Sequence, residues 1–80
     1  MPHYRLNLYN ATGQSEDAEG ADYRDLAAAR AAAIDGIRSI LSAEALDGEI
    51  NLHGHLEIVD DAGTVLDTID FADVLKVLRP

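Results

Sequence analysis

"DLAAARAAAIDGIRSILSAEAL", residues 25–46, decides the fold. On a helical wheel Leu26, Ala29, Ala33, Ile34, Ile37, Ile40 and Leu41 gather on one side. Ala28, Ala31, Asp35, Arg38, Ser39 and Ser42 fall on the other, so the stretch predicts an amphipathic helix from about residue 26 to 46. Asp25 is a good N-cap, because its carboxylate can accept from the free N–H groups of the first turn. Asp47 and Gly48 supply the stop. The alanines of the first half let the helix sit close against a sheet. Gly36, which costs roughly 1 kcal/mol against alanine in a helix interior, marks an expected point of close contact.

The flanks alternate instead. "HYRLNLY", residues 3–9, puts Tyr4, Leu6 and Leu8 on one face and His3, Arg5, Asn7 and Tyr9 on the other, as in a half-buried strand. A turn at residues 10–14 follows, with Gly13 inside it. Residues 14–22 are too polar for a central strand, which leaves a short edge strand or an ordered loop that reverses at Gly20. "EINLHGHLEIVD", residues 49–60, alternates again. Ile50, Leu52, Leu56 and Ile58 are expected inward with Gly54 in their row, and Asn51, His53, His55 and Glu57 outward. "DDAG" at 60–63 reads as a hairpin turn. The returning strand "TVLDTIDF", residues 64–71, carries Val65, Asp67, Ile69 and Phe71 on one parity and Leu66 on the other, which a bulge near Asp67 reconciles. Residues 72–80 read as a short helical turn. The class is therefore α+β: a small antiparallel sheet of three to four strands, in the chain order β-β-α-β-β, with one long helix packed on one face.

Eighty residues suit a single domain over 1–80. A chain of this length buries about 60% of its unfolded surface, so its core is small, and association would help it. The absence of cysteine excludes disulfides, thiolate metal sites and a cysteine nucleophile. Fifteen acids against six Lys and Arg give a net charge of −9, and the cations are scattered singly. No basic stripe exists to neutralise phosphates, which argues against direct nucleic-acid binding and against anionic membranes. The first residues lack the apolar core of a signal peptide, so a soluble cytoplasmic protein is expected.

Several stretches together resemble a bacterial family known as domain of unknown function 6894. They are the "MPHY" start, Gly13, "DAEGADYRDL" at 17–26, the "AAR" of the helix, and "VDDAGTVL" at 59–66 followed by "IDF" at 69–71. The resemblance covers nearly the whole chain in the same order. It departs at Arg5 and Leu6, where such sequences tend to carry paired aromatics, and at Ala32, where they carry a glutamate. It implies a fold and no activity. A looser similarity, of architecture alone, is to the small antitoxin domains of the HicB type.

The candidate sites are few. His53 and His55, two apart on an expected strand, share a face about 7 Å apart and could hold zinc or nickel. His3 is a further candidate if the first strand pairs nearby. An H-G-H on a solvent face is otherwise only a polar face. The acids Glu16, Asp17, Glu19, Asp22 and Asp25 do not follow the spacing of a calcium loop. Arg30 offers another role for them. It lies inside the apolar sector of the helix, where a lone guanidinium needs a partner, and the segment upstream can fold back to supply one. The expected latch has Asp25 as the cap and Asp17 or Glu19 as the partner of Arg30.

No nucleophile elbow, phosphate loop or pocket-forming pattern is present. The expectation is a non-enzymatic protein-binding or regulatory module without a cofactor. It is expected to form a homodimer through a sheet edge or through an open face carrying Tyr9, Asn51, His53, His55 and Val59. The alternatives are a metal-binding protein using His53 and His55, and an antitoxin-like or nucleic-acid-mimicking inhibitor.

Overall fold

The computed structural model describes residues 1–10 and 13–78. In chain order the elements are β1 (His3–Asn10), β2 (Gly13–Ser15), β3 (Ala21–Asp22), α1 (Leu26–Leu46), β4 (Gly54–Val59), β5 (Val65–Asp70) and α2 (Phe71–Leu78). The architecture is α+β. An antiparallel sheet in the order β2-β1-β4-β5 carries β3 as a second partner of β1.

α1 runs over the residues its periodicity predicts. Asp25 is the N-cap, and its Oδ1 accepts from the N–H of Ala28 at 2.8 Å. Ala29, Ala33, Ile37 and Leu41 are buried against the sheet. At the far end the N–H groups of Asp47 and Gly48 fold back onto the carbonyls of Glu44 and Ala45.

Pairing of Leu6 with Ile58 and of Leu8 with Leu56 aligns the apolar rows of β1 and β4. Ile69 of β5 lies opposite Leu56 and joins that row. Tyr4, Ile58, Phe71 and Val74 complete the core beneath α1. Both helices therefore cover one face of the sheet, and the other face has no layer over it among the described residues.

Four expectations need correction. β4 begins at Gly54, so Ile50 and Leu52 are not strand residues, and Ile50 is 46% exposed. The cause is local. Glu44 Oε1 accepts the N–H of Asn51, and Asn51 Oδ1 accepts the N–H of His53, so side chains take up donors that a ladder would otherwise use. Phe71 opens α2 and does not end β5, and α2 is an eight-residue helix, longer than a turn. Arg79 and Pro80 lie outside the described residues. Gly54 makes room for that change: a Cβ there would lie 2.7 Å from the Tyr9 carbonyl oxygen and 3.0 Å from the Phe71 ring. At Gly36, by contrast, an added Cβ would meet no atom outside its own helix backbone within 4 Å, so it marks no close contact.

Residues 13–22 form two strand fragments, β2 and β3, on the outer edge of β1. The irregularity expected near Asp67 is a bulge. Ile58 pairs with Asp67 and Val59 with Val65, which leaves Leu66 as the extra residue.

Candidate functional site

Two regions gather the polar side chains: the outer edge of β1 and the uncovered face of the sheet. The edge is built by the acidic segment. β2 pairs with Leu8, Tyr9 and Asn10 of β1, and β3 pairs with His3 and Tyr4. Between them the chain loops away, and Asp17 fills the gap. Its Oδ2 accepts the N–H of Leu6 at 3.3 Å and its Oδ1 accepts the N–H of Gly20 at 3.0 Å. Its own N–H donates to Oδ1 of Asn7 at 3.0 Å. One carboxylate thus substitutes for a missing strand partner, and the edge is closed by a side chain instead of by main chain.

Glu19 contributes only its carbonyl oxygen, which accepts from Nε2 of His3 at 2.7 Å. The Nδ1 of His3 lies 2.8 Å from Oδ1 of Asp22. That hydrogen bond, then the one from Glu19, holds the His3 imidazole above its ordinary value.

Neither Asp17 nor Glu19 meets Arg30, so the expected latch does not form. Arg30 Nη1 pairs with Oδ2 of Asp67 on β5 at 2.5 Å. The sign that pointed there was the parity of β5, which put a lone carboxylate on the inner face opposite the helix.

On the uncovered face Tyr9 and His55 lie directly across β1 and β4 from each other. Their rings stack with centroids 4.9 Å apart and planes inclined by 17°. His55 Nε2 is 3.7 Å from Oε2 of Glu57. Partial burial pushes the Tyr9 hydroxyl above its usual range, and the neighbouring Glu57 carboxylate adds to the effect. At the hairpin end of the same face Val59 is buried, while Val65 and Leu66 are 47% and 40% exposed. The face combines an aromatic platform with an apolar corner.

The three histidines are separated. His3 stands about 20 Å along β1 from the Tyr9–His55 stack, taking ~3.3 Å per strand residue. His53 precedes β4 and is exposed in the loop, so it does not share a strand face with His55. Asn51 is likewise in that loop and leaves the face on which it was expected. His53 lines an open recess with Glu44, Asp47 and Glu49. Among the described residues no group of three or more His, Asp or Glu side chains converges to hold a metal. No helix of the described residues is long and apolar enough to cross a membrane.

A family model described as domain of unknown function 6894 matches residues 3–72, from the start of β1 into α2. No curated protein and no solved structure matches the chain.

Proposed function

The chain belongs to the domain of unknown function 6894 family, and on that premise we propose that it is a non-enzymatic binding module whose contact surface is the uncovered sheet face. The observation that carries this reading is the Tyr9–His55 stack at one end of that face, with the exposed apolar side chains of Val65 and Leu66 at its other, hairpin end. Aromatic and apolar side chains of this kind are what protein interfaces use as anchors. The net charge of −9 selects against acidic partners and steers basic ones.

A second copy of the chain is the other partner to test. β5 forms the edge of the sheet opposite β2, and a strand edge without a neighbour is a route to symmetric pairing. Light scattering at micromolar concentration distinguishes a dimer of twice 8.6 kDa from the single chain.

The binding reading is tested by capture with the wild-type protein and with Tyr9→Ser combined with Leu66→Ser. A partner kept by the first and lost by the second, while the variant melts at the same temperature, supports the face. Equal capture by both proteins removes it.

A further inference from the structure

His3 sits between two oxygen acceptors, Asp22 Oδ1 at 2.8 Å from Nδ1 and the Glu19 carbonyl at 2.7 Å from Nε2. An ionised carboxylate and a carbonyl cannot donate, so each contact requires an N–H from the ring. A neutral imidazole has one N–H, and only the imidazolium has two. The site is therefore built for the charged ring. In the neutral ring one nitrogen lone pair would face an oxygen.

The two contacts fall on either side of Gly20 and Ala21, the place where the acidic segment returns to β1. Gly20 adopts φ +69°, and a Cβ on it would lie 2.6 Å from the Tyr4 carbonyl and 2.7 Å from Nε2 of His3. The turn fits under the ring only as glycine. The carboxylates that act on the imidazole are Asp22 of β3 and Asp61 of the hairpin between β4 and β5, while Glu19 contributes its carbonyl oxygen. The Arg5 side chain, two residues on along β1, reaches the same turn through its Cγ. Both carboxylates favour the protonated ring.

We propose that His3 is a proton-operated latch: its imidazolium clips residues 19–22 onto the outer edge of β1, and loss of the proton releases them. Release uncovers the main-chain groups of His3 and Tyr4 that now pair with Asp22 and Ala21, leaving an open strand end. The sign follows from linkage. A ring that binds its proton more tightly in the folded state contributes stability that is fully present below 6.5. That stability is lost as pH rises through the folded-state value. The latch lies on the same side of β1 as Tyr9 but about 20 Å along the strand, and it uses none of the residues of the stack.

The test is a nitrogen-15 titration of the histidine rings in the full chain across about pH 5 to 9, with amide exchange measured on the same samples. The expected result is a His3 midpoint above 6.5 with both ring nitrogens protonated below it. The amide of Tyr23, which donates to the Pro2 carbonyl at 3.0 Å, should lose protection through the same midpoint after correction for intrinsic exchange. In Asp22→Asn the midpoint falls while the fold persists, and in His3→Gln the step in exchange disappears. A His3 midpoint at or below 6.5, or Tyr23 exchange with no step there, overturns the latch. Should His3→Gln fail to fold, the wild-type titration and Asp22→Asn decide the matter alone.

Discussion

Arg30 and Asp67, thirty-seven positions apart, meet at 2.5 Å where the start of α1 crosses β5. Each side chain is out of place by the pattern of its own element, a cation in an apolar helical sector and an anion on the inner face of a strand. Each is the other's explanation. The side chains remain 48% and 29% exposed, so the pair sits at the margin of the core and keeps part of its hydration.

That partial exposure sets the expected energetics. Arg30→Met should destabilise by less than about 1 kcal/mol, since pairs that keep water gain little and leave a hydrated carboxylate when broken. A double-mutant cycle with Asp67→Asn, followed by urea unfolding, should give a coupling of similar size. A loss above about 3 kcal/mol would mean that the carboxylate is stranded without water.

Asp17 and Glu19, both acids of the same loop, should behave differently. Asp17→Ala removes the acceptor of two main-chain donors, one of them in β1, and should cost about 1–3 kcal/mol. Glu19→Ala removes an exposed side chain whose main-chain contact survives, and should stay within about 0.5 kcal/mol. Urea midpoints of the two variants check this, and equal losses would contradict the bridging role of Asp17.

Two glycine substitutions should move stability in opposite directions. Gly36→Ala enters open space inside α1 and should stabilise by about 0.5–1 kcal/mol through helix propensity and unfolded-state entropy. Gly54→Ala drives a methyl group into the Tyr9 carbonyl and the Phe71 ring and should destabilise by about 1–3 kcal/mol. Thermal melts of the two proteins distinguish the cases. A stable Gly54→Ala would show that Phe71 and the β1 backbone can shift freely.

Zinc or nickel added at neutral pH should leave the melting temperature unchanged. The ring nitrogens of His3 are both engaged, His55 is stacked on Tyr9, and His53, in an open recess with Glu44, Asp47 and Glu49, belongs to no converging group of three ligands among the described residues. A rise of several degrees that vanishes in His53→Ala would mean binding to the folded state and would put the metal-binding alternative ahead of the binding-module reading.

The helix and its cap were legible because they depend on nearest neighbours along the chain. A repeating apolar stripe, a carboxylate before it and a glycine after it act within a few residues, and α1 follows them. The pairing of β1 with β4 was legible for a related reason, since period-two rows must face the same core. The start of β4 was not, because the alternation of Ile50 and Leu52 continues through a segment whose donors Glu44 and Asn51 had already taken. Alternation reports which residues would suit a strand, and hydrogen bonds decide where one begins.

By itself the sequence determined the α+β class, the helix bounds, the turn at residues 60–63 and the uncovered sheet face, all consequences of short-range patterning and of having one long helix for two faces. Only the tertiary structure decided which charge answers which. Arg30 chose Asp67 over the acids nearest to it in sequence, and Asp17 became a substitute strand partner for Leu6. His3 was drawn into the returning acidic turn, away from the other two histidines. The physical reason is that ion pairs and side-chain caps depend on distance in space, with many acids competing for few partners. The register of β5 against β4, which sets those distances, arises only when the strands are packed together.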